Sequence, residues 1–195
     1  MTKLHTFLTN QTTKTTISTI FVVSGILILL LSLVLNRQWS DNSIKDIILS
    51  NKTFRTQGYP FVFKYNSDKW IQQKATEFNK TIFSYKNNEE MYSMIMTEKF
   101  TKLDNSSLKA IILRNMIASA PDARIIYEEN KIINGKKILC LKIMCTTLNI
   151  KLIYYGYYYS GKSSIIQVVT LSSYKLFSDY ENEMTKFLNG LAITE

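Results

Sequence analysis

Residues Gly156 to Ser163 read GYYYSGKS and match the phosphate-binding pattern G-x-x-x-x-G-K-[ST] at every fixed position. A phosphate-binding loop of this kind leaves a strand, surrounds the phosphate with backbone N–H groups, and enters a helix at the Lys-Ser step. Here the next residues are SSIIQVVT, and their β-branched side chains favour a strand. Three tyrosines also occupy positions at which the loop would have to fold tightly. The context therefore predicts two antiparallel strands around Ser160-Gly161-Lys162, and no nucleotide site.

The remaining residue types that could do chemistry are few. His5 is the single histidine and precedes the candidate membrane segment, so the rest of the chain has no His-based triad or metal site. Cys140 and Cys145 lie five positions apart, which places them on opposite faces of a strand and is not a zinc or redox spacing. The adjacent pairs Glu89-Glu90 and Glu128-Glu129 also point in opposite directions. We predict no catalytic, cofactor-binding or metal-ligating residue, no cofactor, and a protein that is not an enzyme.

Charge argues against nucleic acid as a partner. The formal net charge is +9, but the lysines are scattered along the chain and form no dense run. Only Arg37, Arg55, Arg114 and Arg124 supply guanidinium groups, which nucleic-acid surfaces use for forked contacts to bases and phosphates. The pattern favours a solvated lysine surface, and leaves open attraction to an anionic membrane surface.

The N-terminal part contains a candidate membrane span at residues 17–36. Residues 17–35 read ISTIFVVSGILILLLSLVL without a charged side chain, and a helix rising ~1.5 Å per residue would just span the ~30 Å hydrocarbon layer. The alternative is a cleaved signal peptide, whose apolar core is usually shorter and ends in small residues. Here the segment ends in Leu33-Val34-Leu35-Asn36. We predict an uncleaved single-span anchor, with Trp39 at the membrane interface.

The orientation of this anchor is predicted from its flanks. Lys3 and Lys14 precede the span, while Arg37, Lys45 and Lys52 follow it, so the distribution of positive charge does not decide between the two orientations. Short N-terminal tails before a first apolar segment commonly stay in the cytosol. We therefore expect a single-pass membrane protein whose soluble domain lies on the extracytoplasmic side, either periplasmic or extracellular.

The rest of the chain divides by composition. Residues 1–16 are rich in Thr, Asn and Gln and are predicted to form a flexible tail, and residues 37–58 are predicted to be a linker. Residues 59–195 form the predicted α+β soluble domain, since hydrophobic periodicity begins at residue 59. Alternating apolar residues predict strands at 59–65, 80–86 and 91–100.

Two helices and a hairpin complete the predicted domain. The middle helix, residues 106–120, is capped by Asp104 or Asn105 and closed by Pro121. Its predicted buried stripe is Leu108, Ile111, Ile112, Asn115, Ile117 and Ala118. The Asn134-Gly135 dipeptide predicts a tight hairpin. The chain closes in a second predicted helix over residues 173–193, whose apolar face holds Phe177, Tyr180, Met184, Phe187 and Leu188.

The tyrosine-rich segment 150–160 is predicted to be a central strand. In a strand, Tyr154 and Tyr158 share one face, while Tyr155, Tyr157 and Tyr159 share the other. A platform for stacking bases would place its rings on one open face, interleaved with Lys or Arg. Rings on both faces instead indicate a strand with another layer packed on each side.

This order of elements resembles the PsbP-like α/β/α sandwich of thylakoid oxygen-evolving accessory proteins, Ran-binding Mog proteins and DcrB-type bacterial envelope proteins. The resemblance rests on the strand Phe61-Phe63-Tyr65 leading to Trp70, on the hairpin Asn134-Gly135-Lys136, and on the helix from about Phe177 to Leu191. It covers roughly residues 59–193, and departs from the family in having Asn66-Ser67-Asp68 rather than a proline in the turn before Trp70. It implies a mainly antiparallel sheet sandwiched by helices and a non-catalytic binding or accessory role. It assigns no functional residue.

Three functional hypotheses follow. The favoured one is a membrane-anchored, non-catalytic accessory protein whose α+β domain docks onto a protein partner of a membrane or envelope assembly. The first alternative is a protein that holds a lipid or other small apolar ligand between sheet and helix. The second is an enzyme, which would need a deep pocket with converging acids or tyrosines.

Overall fold

The computed structural model describes residues 52–73, 80–86 and 88–195. Within these ranges the chain forms ten strands and two helices. In chain order they are β1 (Lys52–Phe54), β2 (Phe61–Tyr65), β3 (Trp70–Gln72), β4 (Lys80–Tyr85), β5 (Asn88–Lys99), α1 (Asn105–Ser119), β6 (Arg124–Ile133), β7 (Lys136–Thr147), β8 (Ile150–Ser160), β9 (Ser164–Ser173), α2 (Phe177–Leu188) and β10 (Leu191–Ile193).

Seven strands form one antiparallel sheet in the order β3-β4-β5-β9-β8-β7-β6. Most neighbours in the sheet are also neighbours in the chain, because short hairpins connect them. The hairpin predicted at Asn134-Gly135 joins β6 to β7, with φ of 48° and 79° at the two residues, the left-handed conformation that this turn requires. The tyrosine-rich β8 lies in the interior of the sheet, as predicted.

The sheet is covered on both faces. Helix α1 packs on one face through Leu108, Ile112 and Met116. Helix α2 packs on the other face, together with a small three-stranded sheet of order β1-β2-β10. The predicted sandwich of a mainly antiparallel sheet between helices is therefore confirmed, and the small sheet is an additional part of one covering layer.

Aromatic rings dominate the core on the α2 side. The ring centroid of Phe187 in α2 lies 4.2 Å from Trp70, 4.7 Å from Phe63 and 5.3 Å from Phe83. Tilted and edge-to-face contacts of this kind contribute about 0.5–1.5 kcal/mol per pair beyond the area that they bury. They hold α2, β2 and β3 in fixed positions around one another.

The buried stripe of α1 differs from the prediction. The helix begins after Asp104, as expected, and its buried residues are Leu108, Ile112 and Met116, spaced four apart, while the predicted Ile111 and Asn115 are half-buried. Ile117 is 42% exposed and Ala118 is also exposed. The helix therefore contacts the sheet along a narrower line than the predicted stripe.

The predicted closing helix was too long. Helix α2 ends at Leu188, and Leu191–Ile193 forms strand β10, which pairs with β2. The helix stops because Gly190 approaches the backbone of Lys64 closely, and the Lys64 N–H donates to the Gly190 carbonyl oxygen over 3.0 Å.

The folded unit also starts before residue 59. Strand β1, within the segment predicted to be a linker, pairs with β2. The tail at 1–16, the anchor at 17–36 and linker residues 37–51 lie outside the described residues. No helix within residues 52–73, 80–86 and 88–195 is both long enough and apolar enough to cross a membrane.

Candidate functional site

The GYYYSGKS segment lies in a β-hairpin. Residues 156–160 belong to β8, and β9 begins at Ser164. The N–H of Gly161 donates to the carbonyl oxygen of Ser164 over 2.8 Å, which closes the turn. The predicted pair of antiparallel strands is confirmed, and the strand-loop-helix context of a phosphate-binding loop is not present at this segment.

Each glycine of this segment makes room for a neighbouring side chain. A Cβ atom at Gly156 would lie 2.7 Å from the Oη atom of Tyr158, whose ring packs over this glycine. A Cβ atom at Gly161 would lie 1.7 Å from the Oε1 atom of Glu195. Both glycines therefore lie against side chains of the hairpin and of Glu195, and neither contact involves a phosphate-binding loop.

The tyrosines of β8 are core residues on both faces of the sheet. Tyr154 and Tyr158 pack beneath α1, while Tyr155 and Tyr157 pack on the α2 side. Burial raises the pKa of Tyr154, Tyr157 and Tyr158 above the ordinary tyrosine value. The Tyr157 hydroxyl donates to Asn189 Oδ1 over 2.9 Å. These contacts confirm the prediction of a central strand with a layer on each side.

The cysteines and the Glu128-Glu129 pair also have structural surroundings. Cys140 and Cys145 are free and buried on opposite faces, as predicted, and burial raises the pKa of Cys145 to about 11. Glu128 pairs with Lys109 over 2.9 Å, whereas Glu129 accepts a hydrogen bond from Tyr127. Nowhere in the described part of the chain do three His, Cys, Asp or Glu side chains form a group that could hold a metal ion.

A small cavity lies between α1 and the sheet. We call it the Met–Tyr cavity; its volume is about 30 Å³. Two buried polar atoms in its lining, Asn115 Oδ1 and the Tyr154 hydroxyl, have no hydrogen-bond partner among the described residues. A cavity of this size has room for water but is far too small for a lipid chain. Its lining residues are Met94, Met96, Ile112, Asn115, Met116, Tyr154, Tyr158, Gln167 and Val169.

A larger cleft lies on the opposite face, where α2 meets β2 and β3. Its volume is about 200 Å³, and we call it the lysine cleft. Three of its eight lining residues are lysines and one is a glutamate, and aromatic rings form its apolar part. The lining residues are Lys64, Tyr65, Asn66, Lys69, Trp70, Glu183, Lys186 and Phe187.

A tight turn positions one wall of the lysine cleft. The side-chain oxygen of Asn66 accepts from the Asp68 N–H over 2.8 Å, and the Asn66 carbonyl accepts from the Trp70 N–H over 2.9 Å. This turn positions the Lys69 side chain in the lysine cleft and places the Trp70 ring against the Phe187 ring. Asn66 thus acts in the turn where the PsbP-like pattern would have led us to expect a proline.

The opposite wall comes from one turn of α2. Glu183 and Lys186 are three residues apart, so they share one side of the helix. Glu183 binds Lys186 over 2.8 Å and Lys69 over 2.6 Å. The hydrogen bonds from Lys186 and Lys69 lower the pKa of Glu183, and the hydrogen bond to Glu183 raises the pKa of Lys69.

Three lysines and one glutamate line the lysine cleft, so the charged residues of its lining carry an excess of positive charge. Such a cleft can bind carboxylate or phosphate groups. Sequence reasoning missed it for a physical reason: its residues come from two segments more than 110 positions apart, and each lysine resembles any other surface lysine. The one local signal was Trp70, which the resemblance to PsbP-like proteins had singled out.

Comparisons with known proteins agree with the architecture. No family model matches the sequence, and a search of curated proteins gives no significant match. Among solved structures, cyanobacterial PsbP (CyanoP) from Synechocystis superposes with a TM-score of 0.58 at 9% identity, over 80% of this chain and 99% of that one. A variant of the protein Mog1 superposes with a TM-score of 0.53 at 8% identity, over 75% of this chain and 97% of that one. The chain therefore has a PsbP/Mog-like α+β fold.

Proposed function

We propose that this chain is a single-span, membrane-anchored, non-catalytic accessory protein whose α+β domain binds a protein partner of a membrane or envelope assembly. The observation that carries the proposal is the lysine cleft. It is larger than the Met–Tyr cavity, and its lining has an excess of positive charge. The partner surface that fits it presents carboxylates beside an apolar side chain. The PsbP/Mog-like fold supports an accessory or binding role.

The ion pairs inside the cleft prepare it for such a partner. An ammonium group has three N–H donors, and Lys69 and Lys186 each direct one toward Glu183. Glu183 therefore holds both lysine side chains in place while leaving them donors for a second carboxylate. Because these side chains are already ordered, binding costs less side-chain entropy than it would at free lysines.

Charge reversal at the cleft tests the proposal. The full chain is compared with a variant carrying Lys64→Glu and Lys186→Glu, in a pull-down from host membranes after mild cross-linking. A variant carrying Lys137→Glu and Lys175→Glu is the matched control, because all four lysines are exposed and the net charge changes equally. We expect the cleft variant to lose the partner and the control to retain it. Equal recovery by both variants, or no partner with the unmodified chain, would contradict the proposal.

The anchor and its orientation are part of the same proposal. They are supported by the uncharged segment 17–35 and by the short tail that precedes it. Protease added to intact cells should digest the domain, and the chain should stay in the membrane fraction after a high-salt wash. A domain that resists the protease would indicate the opposite orientation. A soluble chain that has been cleaved near Asn36 would contradict the uncleaved anchor.

The Met–Tyr cavity is the observation that favours the alternative function, binding of a lipid or other small apolar ligand. It lies where that hypothesis places its ligand, between sheet and helix, and most of its lining is apolar. At about 30 Å³ it would hold a lipid only if α1 moved outward. Native mass spectrometry of protein purified from its host should give the bare mass under the accessory-protein proposal, whereas an added ligand mass would favour the alternative.

A further inference from the structure

Strand β6 forms a long edge of the seven-stranded sheet. It has ten residues, whereas β3 at the opposite edge has three. No strand among the described residues pairs with its outer side, so this edge presents a row of backbone donors and acceptors. Its side chains include Ile132, which is 70% exposed, and Tyr127, which is 37% exposed.

The regular part of this edge has defined limits. The β6–β7 ladder shifts register between Ile125 and Tyr127, so a β-bulge interrupts the strand there. At the other end, the turn at Asn134 follows Ile133. A partner strand can therefore pair regularly with residues 127–133, and the centre of that segment is Asn130.

We propose that β6 pairs antiparallel with β6 of a second copy of this chain, with the two-fold axis at Asn130. In this register Tyr127 of each copy lies opposite Ile133 of the other, and Glu129 of each lies opposite Lys131 of the other. The two large sheets then join into one continuous sheet. The lysine clefts are unaffected, because they lie beside β3 at the other edge of each sheet.

Charge selects this register independently of the geometry. A two-fold axis at Glu128, Glu129 or Lys131 would place that residue opposite itself, and like charges directly opposite each other destabilise a strand pair. Residues directly opposite each other in paired strands point to the same face of the sheet. A two-fold axis between two residues would pair a residue of one face with a residue of the other face, so that position is excluded. Within the regular segment 127–133, only the axis at Asn130 gives two pairs of opposite charge, and it coincides with the centre of that segment.

The charges are placed to form a network across this contact. Within one chain, Lys131 lies 3.4 Å from Glu129, and both side chains are partly exposed on the α2 side. The second copy would bring the same pair alongside, so that two lysines and two glutamates alternate. Charges on an edge strand can also prevent pairing. Exchanging Glu129 and Lys131 separates a role in pairing two copies from a role in preventing pairing.

Cysteine cross-linking tests the register. With the axis at Asn130, the two Cα atoms of that residue lie about 4.5–5.5 Å apart, which is within the range for a disulfide. The full chain carrying Asn130→Cys should form a covalent dimer on mild oxidation. Ile132→Cys is the control, because its two copies would lie four residues apart along the strand, or ~13 Å. The native cysteines contribute no background, since Cys140 is 0% and Cys145 1% exposed.

Charge exchange tests the partner. In light scattering and cross-linking of the full chain in detergent, Glu129→Lys or Lys131→Glu alone should weaken dimer formation about tenfold, because each creates two like-charge contacts. The variant with both changes restores opposite charges and should dimerise like the unmodified chain. The proposal is overturned if Asn130→Cys gives no cross-link, if Ile132→Cys cross-links equally well, or if the double variant stays as weak as the single ones. A monomer whose β6 edge is occupied by its own N-terminal segment would give the first of these results.

Discussion

Adding one methyl group at Gly190 should destabilise the contact between α2 and β2 that forms the lysine cleft. Gly190 lies between α2 and β10, and a Cβ atom there would lie 1.9 Å from the backbone oxygen of Lys64. Ordinary contact begins near 3.4 Å, so β2 and the turn would have to move apart by about 1.5 Å. The obstacle is backbone, so no change of side-chain rotamer relieves it.

The expected cost of Gly190→Ala follows from this geometry. Overpacking of this kind costs ~1–3 kcal/mol, and separating the two segments would also weaken the Lys64–Gly190 hydrogen bond, worth ~1 kcal/mol. We therefore expect the free energy of unfolding to fall by about 3 kcal/mol. For a chain of this size that lowers the Tm by about 6–12 °C.

Urea and thermal unfolding of the full chain in detergent, followed by circular dichroism, measure this loss. Gly161→Ala is the matched control, because the atoms that a Cβ atom there would meet belong to the side chains of Glu195 and Tyr159 and not to the backbone. The control should lose no more than about 1 kcal/mol. A loss with Gly190→Ala no larger than with Gly161→Ala would show that the backbone approach of Gly190 to Lys64 does not exclude a side chain.

Three further predictions concern buried or capped groups. Tyr154→Phe removes a buried hydroxyl that has no described partner, so urea unfolding should show a free energy of unfolding that is unchanged or up to ~1 kcal/mol higher; a loss greater than that would reveal a partner for the hydroxyl. Asp104 caps α1, and hydrogen bonds led by the Ser106 hydroxyl lower its folded pKa, so its contribution to stability is present above pH ~4 and is lost as the pH falls further. Asp104→Asn keeps a capping oxygen, so Tm measured against pH should be similar at neutral pH and should fall less in acid; an unchanged acid dependence would contradict this. Cys140 and Cys145 should react with a thiol reagent only on unfolding, because burial raises the pKa of each; rapid labelling of the folded chain would show that one is exposed.

Much of the sandwich could be predicted because its signals are local. The alternation of Tyr154 to Tyr158 gave the two faces of β8 correctly, and Asn134-Gly135 gave the β6–β7 turn. The weak helix preference of SSIIQVVT was enough to assign GYYYSGKS to a hairpin despite its match to a phosphate-binding pattern. In each case, the residues that decide the structure are close together in the chain.

The small sheet could not be predicted, because its signals are not local. Strands β1 and β10 have three residues each, too few for a period to be visible, and both depend on pairing with β2. The end of α2 depends on the approach of Gly190 to Lys64, 126 positions earlier in the chain. The lysine cleft also depends on contacts between distant parts of the chain, because its two walls meet only when β2 and α2 are packed together.

The central claim is that the lysine cleft is where the domain meets its partner, and photo-cross-linking in the host membrane tests it most directly. A photoreactive residue is placed at Lys64 or Lys186 in the cleft, and at the exposed Lys137 or Lys175 as controls. We predict one product of the same mass from both cleft positions and none from the controls. No product from the cleft, or the same product from all four positions, would contradict the account.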